Sequence, residues 1–133
     1  MEETIFTKIV KGEIPCYKIA EDDRYFAFLD ISPLAKGHTL VITKLQNDYI
    51  FDLEDDMLAG MAVFAKKVAK ALKKVVPCKR IGVAVIGIDV PHNHIHLVPI
   101  NDGGDLDFTA PRVEISKEEY AELASKISAA IED

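Results

Sequence analysis

The chain of 133 residues contains no tryptophan, two cysteines and four histidines. Cys16 and Cys78 stand apart and form no C-x-x-C motif, which gives no disulfide framework and is typical of a reducing compartment. The apolar runs are too short to span a bilayer, and the acidic N-terminus lacks the apolar segment of a secretory signal. We therefore expect a cytoplasmic protein with no membrane partner.

Basic residues are also fewer than acidic residues. Lysine and arginine number 16 against 22 aspartates and glutamates, which gives a formal net charge of −6 at pH 7. General nucleic-acid binders normally carry a basic face, so we expect no nucleic-acid partner. A small nucleotide is still compatible with this charge, because a local pocket can oppose it. The length and the apolar content of 49% indicate one domain over residues 1–133.

Hydrophobic periodicity and turn residues predict three helices and five strands. Strands outnumber helices and follow one another without regular crossover helices, so we predict the α+β class with a mostly antiparallel sheet. The predicted helices span 5–11, 53–75 and a segment that follows Ser116, and the predicted strands span 17–20, 25–29, 38–43, 81–86 and 94–100.

Four details qualify this pattern. Thr4 is a suitable N-cap for the first helix, and Gly12 a suitable stop. Ser116 and Glu119 have the spacing of a capping box. Five lysines crowd the latter half of the long helix, which indicates either a solvated face or a binding patch. The polar stretch 101–111 carries no clear helix or strand signal.

Three of the four histidines stand in one short run. A spacing of two places His92, His94 and His96 on one face of an extended strand. Burying several unpartnered polar rings costs about 1–3 kcal/mol each, so a purely structural role explains this run poorly. Such a row suits one small anionic group or one metal ion. His38 follows the turn residue Gly37 at the start of another apolar strand.

The run from His92 to Val98 resembles the histidine-triad (HIT) superfamily pattern H-φ-H-φ-H-φ-φ, with Asn93 at a position that is usually apolar. Stretches 4–10, 12–15, 26–33 and 37–42 are similar to its Hint branch, so the resemblance runs with interruptions from Thr4 to Ile100. It implies a HIT-like fold: a sheet of about five strands, a short N-terminal helix, one long central helix and a C-terminal helix. It also implies a homodimer.

The resemblance implies a hydrolase that acts at the α-phosphorus of nucleoside phosphoramidates, nucleotide esters or dinucleoside polyphosphates. His94 would be the nucleophile and form a transient nucleotidyl-imidazole. His96 would donate a hydrogen bond to a non-bridging oxygen, His92 would orient the nucleophile, and His38 would fix tautomers. Related transferases carry glutamine at the last triad position, so His96 favours hydrolysis over transfer.

The resemblance also assigns the contacts to a purine nucleotide. Asp30 matches the acid that accepts hydrogen bonds from both ribose hydroxyls. The remaining nucleotide contacts fall on apolar residues, each of which also fits a structural core: Ile5, Phe6, Ile9, Phe28, Ile31, Leu40 and Val90.

Three departures from the family pattern bear on function. Some members bind zinc through a C-x-x-C motif and extra histidines, whereas this chain has Thr4, Thr7 and Gln46 there, so we expect no metal cofactor. Asp89 stands where a small hydroxyl residue is usual, and a carboxylate repels phosphate. The third departure is the lack of a C-terminal tryptophan. Two alternatives stay open: an AMP-like binding or scaffold protein with little turnover, and a metalloprotein ligated by the triad.

Overall fold

The computed structural model describes residues 2–132 and has the α+β architecture that the sequence predicts. Five antiparallel strands form one sheet in the order β1-β2-β3-β5-β4. The strands are β1 (Lys18–Glu21), β2 (Tyr25–Leu29), β3 (Thr39–Thr43), β4 (Arg80–Ala84) and β5 (His94–Ile100), and the helices are α1 (Ile5–Val10), α2 (Asp55–Val75) and α3 (Lys117–Ala129).

The two faces of the sheet are buried under different helices. Side chains alternate along a strand, so neighbouring residues pack on opposite sides. Residues such as Ala27, Val41 and Leu97 belong to the larger core, which α2 and α3 cover. Phe28 and Leu40 belong to a smaller cluster under α1. The short N-terminal helix therefore closes one face of the sheet almost alone.

The register between β3 and β5 decides where the histidines point. His94 pairs with Ile42, and His96 pairs with Leu40, so both imidazoles lie on the face that α1 covers. A slip of one residue would turn both rings toward α2 and α3. Ile95, which pairs with Val41, is buried in the larger core and opposes such a slip.

Local signals explain how the helices begin and end. The hydroxyl of Thr4 accepts a hydrogen bond from the backbone N–H of Thr7, as expected of an N-cap. Gly12 has a φ of +80°, a backbone conformation that favours glycine, directly after the end of α1. The five lysines of α2 are exposed, as a solvated face requires. No helix of the described residues is long and apolar enough to cross a membrane.

Several predicted boundaries were wrong. The long helix begins at Asp55, because a separate 3₁₀ turn occupies Ile50–Asp52 and the backbone of Leu53 is extended. Strand β4 ends at Ala84, and residues 85–86 leave the sheet. The polar stretch contains another 3₁₀ turn at Gly103–Asp105, capped by neighbouring aspartate side chains.

The predicted capping box at α3 is only half formed. The Ser116 hydroxyl accepts from the Glu119 backbone N–H at 3.1 Å. The Glu119 carboxylate instead lies 3.6 Å from Nζ of Lys36. An exposed glutamate at this position can bind either the backbone N–H of the N-cap or a nearby lysine with similar strength. The sequence pattern does not distinguish between these two partners.

Candidate active site

A pocket of about 510 Å³ opens on the α1 side of the sheet. Its walls come from α1, the end of β2, the segment 86–90 and the segment 108–112. All ten residues in the following list, each predicted from the sequence as a site residue, line it: Ile5, Phe6, Ile9, Phe28, Asp30, Ile31, Leu40, Val90, His94 and His96. The other two predicted site residues, His38 and His92, are buried behind the pocket wall.

His94 presents one unprotonated nitrogen for chemistry. Its Nδ1 lies 2.7 Å from the backbone carbonyl oxygen of His92. A carbonyl only accepts, so Nδ1 carries the proton and Nε2 of the neutral ring keeps its lone pair. The ring packs edge-on against Phe6, with centroids 5.1 Å apart, which fixes its plane beside the pocket.

A second hydrogen-bonded chain fixes the tautomer of His96. The backbone N–H of Leu34 donates to Nδ1 of His38 at 3.0 Å, so the proton of the neutral His38 ring is on Nε2. That Nε2 lies 3.0 Å from Nδ1 of His96, to which it donates. The remaining nitrogen of His96 therefore carries a proton and is a hydrogen-bond donor.

The position of His38 depends on Gly37. Gly37 has a φ of +96°, and a Cβ there would lie 2.9 Å from a side-chain carbon of Leu72 and 3.0 Å from one of Val76. Glycine thus lets the turn before β3 pass closely against α2, and the chain enters the strand with the His38 ring aimed at His96.

Burial keeps the paired histidines uncharged. Burial, followed by the nearby charge of His96, lowers the pKa of His38 to about 3. Burial, followed by the charges of His94 and Arg112, lowers the pKa of His96 to about 4. Both rings are therefore neutral at pH 7, which matches the proton positions deduced from their partners.

The prediction that His92 belongs to the same strand as the other two rings was wrong, although its ring does lie on the α1 side of the sheet, against Phe6 with centroids 5.7 Å apart. Strand β5 begins at His94, and the ring of His92 is fully buried, away from the pocket. Its Nε2 lies 2.8 Å from the carbonyl oxygen of Thr43, and its Nδ1 lies 2.7 Å from the hydroxyl of Thr4. With both nitrogens engaged, the ring itself has no free atom for substrate, and its link to His94 is its backbone carbonyl.

Asp30 lies at the pocket wall just beyond β2. Its Oδ1 accepts from the backbone N–H of Ser32 at 2.8 Å, and its Oδ2 lies 3.5 Å from Nε2 of His38. Burial raises its pKa, while the Ser32 N–H and the charge of Arg112 act in the opposite direction. Its backbone is also held, because the Tyr120 hydroxyl donates to its carbonyl at 2.8 Å.

Two groups of residues are candidates for metal binding. Among residues 2–132, the ligand atoms of Asp30, His38 and His96 lie within 4.8 Å of one another. The two rings already share a hydrogen bond there, and a cation would have to displace its proton. Thr4, Thr7 and Gln46 offer hydroxyl and amide oxygens in place of the thiolates and imidazoles that zinc prefers, so they do not fit that ion.

Phe108 and Arg112 line the pocket and were missed as site residues. The Phe108 ring packs edge-on against His96, with centroids 4.6 Å apart. The Arg112 guanidinium donates to the carbonyls of Ser32 and Phe108 at 3.1 and 3.0 Å and lies 5.8 Å from the centre of the Phe108 ring. Both residues belong to an irregular segment without helix or strand periodicity. Phe108, the lone aromatic residue in this polar stretch, is the one sequence signal that could have indicated part of a site there.

The low histidine pKa values predict a loss of stability in mild acid. In the unfolded chain both rings take up protons below about pH 6.5, whereas in the folded chain His38 does so near 3 and His96 near 4. The free energy of unfolding should therefore be highest above pH 6.5 and decline as the pH falls toward 3. Urea unfolding at several pH values measures this. The His38→Asn variant should show a shallower decline, and parallel curves for parent and variant would contradict the assignment.

Comparison with known proteins places this geometry in a family. A HIT domain model matches residues 11–103. The adenosine 5′-monophosphoramidase of Schizosaccharomyces pombe is 39% identical over 130 residues, which cover 96% of this chain and 97% of that protein.

Solved structures agree with the sequence comparison. A Hit-like protein from Bartonella henselae superposes with a TM-score of 0.82 at 34% identity, covering 97% of both chains. A zinc-bound histidine triad family protein from Mycobacterium smegmatis superposes with a TM-score of 0.81 at 30% identity, covering 95% of this chain and 91% of that one. This chain belongs to the HIT family.

Proposed function

We propose that the protein hydrolyses nucleotides at the α-phosphorus through a covalent nucleotidyl-His94 intermediate. The substrate class comprises nucleoside 5′-phosphoramidates, nucleotide esters and dinucleoside polyphosphates. The observation that carries the proposal is the 2.7 Å hydrogen bond of Nδ1 of His94 to the carbonyl of His92, which leaves Nε2 of this pocket-lining ring as the nitrogen able to react. The phosphoramidase name of the S. pombe relative supports the reaction type.

The chemistry proceeds in two displacements. Nε2 of His94 forms a bond to phosphorus, and the bond to the leaving group breaks with its electron pair. The ring becomes positively charged, and the carbonyl of His92 stabilises that charge through the Nδ1 proton. Water then attacks phosphorus, the bond to His94 breaks, and the nucleoside monophosphate and one proton are released. The ring returns to its neutral state.

His96 stabilises the transition state at phosphorus and remains neutral as it does so. Its pKa of about 4 keeps it neutral at pH 7, so it acts as a hydrogen-bond donor and not as a reservoir of positive charge. The proton on its remaining nitrogen would be donated to a non-bridging oxygen as negative charge builds there. The role of His38 is to hold His96 in the tautomer that has this proton.

The apolar wall and Asp30 form the nucleoside side of the proposed site. Phe6 and Phe28 pack edge to face with centroids 5.5 Å apart and offer an apolar surface beside His94 for a purine. Asp30 uses one lone pair of Oδ1 for Ser32, and its other lone pairs are available to accept from ribose hydroxyls.

Arg112 supplies the permanent positive charge for the phosphate. The other ionisable side chains that line the pocket include Asp30 and Asp89, which carry negative charge when ionised, and His96, which is neutral at pH 7. Two of the five Arg112 donors bind backbone carbonyls, which leaves three for a ligand. The guanidinium thus offsets the repulsion that the carboxylates and the net charge of −6 impose on an anion.

The alternative function is nucleotide binding with little turnover. Asp89 favours it, because this exposed carboxylate stands at the rim where a small hydroxyl residue is usual in the family. The two functions share the pocket and differ only in whether His94 reacts. Trapping of the adduct separates them.

The His94→Ala variant should lose turnover by several orders of magnitude while it still folds and binds AMP, because the ring performs chemistry. Turnover of adenosine 5′-phosphoramidate measures this, and mass spectrometry of the quenched parent should locate an added adenylyl group on His94. Circular dichroism controls for the fold. Near-parent turnover by the folded variant would exclude covalent catalysis at this residue, and AMP binding by a parent without turnover would establish the alternative function.

The Arg112→Gln variant should bind AMP about 10- to 100-fold more weakly, because hydrogen bonds to charged groups contribute about 1.5–3 kcal/mol. Adenosine, which has no phosphate, should bind parent and variant alike. Isothermal titration measures both. Arg112→Lys keeps the charge but not the fork that joins two carbonyls, so it should retain most of the affinity for AMP. Equal losses in both variants would show that Arg112 only fastens the segment 108–112.

We also propose a homodimer. Strand β4 lies at an edge of the sheet, where its outer hydrogen-bonding groups can pair with a second copy. Val83 on this strand is 61% exposed, and Val85 and Ile86 after it are also exposed.

Light scattering at micromolar concentration should therefore give twice the chain mass of 14.7 kDa. Val83→Lys should shift the protein toward monomer, because a buried lysine at a sheet edge opposes pairing. Val113→Lys, at an exposed site outside β4, is the matched control. A parent that remains monomeric at this concentration would reject the dimer.

A further inference from the structure

A polar cluster lies behind the triad and does not line the pocket. Thr4, at the N-cap of α1, is 8% exposed and meets the fully buried ring of His92. Thr7 and Gln46 complete the cluster, which we call the N-cap cluster. Its members come from α1, from the segment after β3 and from the segment before β5. The proposed mechanism uses the backbone carbonyl of His92 but none of the side chains of this cluster.

The hydroxyl proton of Thr4 has two possible acceptors, Nδ1 of His92 at 2.7 Å and the hydroxyl oxygen of Thr7 at 3.2 Å, and counting donors favours the first. The carbonyl of Thr43 only accepts, so Nε2 of His92 must donate to it, and Nδ1 of the neutral ring must accept. The hydroxyl of Thr4 lies 2.7 Å from that Nδ1 and supplies the proton. The hydroxyl of Thr7 lies 3.5 Å from Nδ1 and donates instead to Oε1 of Gln46 at 2.7 Å.

Gln46 holds the cluster in place from outside. Its Oε1 also accepts from the backbone N–H of Thr4 at 2.9 Å, and its Nε2 donates to the carbonyl of Glu2 at 2.8 Å. The amide is thus oriented by groups at both ends. The hydroxyl of Thr4 cannot rotate away without removing the 2.7 Å hydrogen bond to the buried Nδ1 of His92.

Two hydrogen bonds connect the N-cap cluster to His94: one from Thr4 to the ring of His92, and one from Nδ1 of His94 to the carbonyl of His92. The ring of His92 is fixed at both nitrogens, and its backbone N–H donates to the carbonyl of Val90 at 2.8 Å. The carbonyl of His92 is thereby aimed at Nδ1 of His94, 2.7 Å away. That bond decides which nitrogen of His94 has the free lone pair.

We propose that Thr4 is a positioning residue, whose hydroxyl proton sets the tautomer of His92 and through its carbonyl orients the nucleophile His94. The inference rests on the proposed hydrolase function for its kinetic consequence, but its proton arrangement is a property of the free protein. The helix that offers Ile5 and Phe6 to the nucleotide also orients the attacking ring from its N-cap.

The rival explanation is that Thr4 only caps α1, since its hydroxyl also accepts from the N–H of Thr7. Three substitutions separate the two roles. Thr4→Ser keeps the cap and the donated proton. Thr4→Asp keeps the cap, because aspartate is a good N-cap, but an ionised carboxylate has no proton to donate. Thr4→Val loses both.

The experiment combines ring ¹⁵N spectra of the free protein at neutral pH with turnover of adenosine 5′-phosphoramidate. In the parent and Thr4→Ser, His92 should show the proton on Nε2 alone. In Thr4→Asp the carboxylate favours a proton on Nδ1 as well, and the His92 signals should move to the doubly protonated pattern. Turnover should fall about fivefold or more in Thr4→Asp and Thr4→Val and stay near the parent value in Thr4→Ser, since one lost or altered hydrogen bond is worth about 1 kcal/mol or more.

Thr7→Val is the control for the rest of the cluster, because it removes a hydroxyl that does not donate to His92. Its His92 spectrum and turnover should match the parent. Parent-like spectra and turnover in a folded Thr4→Asp variant would overturn the proposal and leave Thr4 as a cap alone. The spectra do not depend on turnover, so the expected shifts in an otherwise inactive parent would support the proton arrangement and reject the hydrolase.

Discussion

The pairing of β3 with β5 is the constraint on which the site depends. It sets His94 and His96 opposite Ile42 and Leu40, so that two imidazoles share a face with the apolar residues under α1. The same pairing buries Ile95 and Leu97 in the larger core, and that burial stabilises the register. The catalytic geometry is therefore maintained by packing on the opposite side of the sheet.

The neutral form of histidine allows four imidazole rings to be buried close together. An imidazole that is uncharged has one donor and one acceptor, and each of the four rings finds partners that suit one tautomer. Leu34 fixes His38, His38 fixes His96, Thr4 and Thr43 fix His92, and the carbonyl of His92 fixes His94. Within residues 2–132 no buried side-chain nitrogen or oxygen lacks a hydrogen-bond partner.

Sequence patterns predicted the fold class and the order of the elements in the chain, because period-two alternation and helix caps are local signals. The resemblance to the HIT family, and not periodicity, supplied ten residues of the pocket wall. The patterns failed where a choice depends on distant partners. Alternation suggested that His92 extends β5, but its ring turns inward to Thr4 and Thr43, which no local rule anticipates. Arg112 gives no periodic signal, because its place is set by two backbone carbonyls from separate segments.

Part of the pocket wall lies outside the stretch that the family model covers. The HIT domain model matches residues 11–103, whereas α1 precedes this range and both Phe108 and Arg112 follow it. The strand that carries His94 and His96 and these outer parts of the wall are thus encoded in different stretches of sequence. Changes near either end of such a chain can alter the shape of the pocket while the sheet keeps the two rings in place.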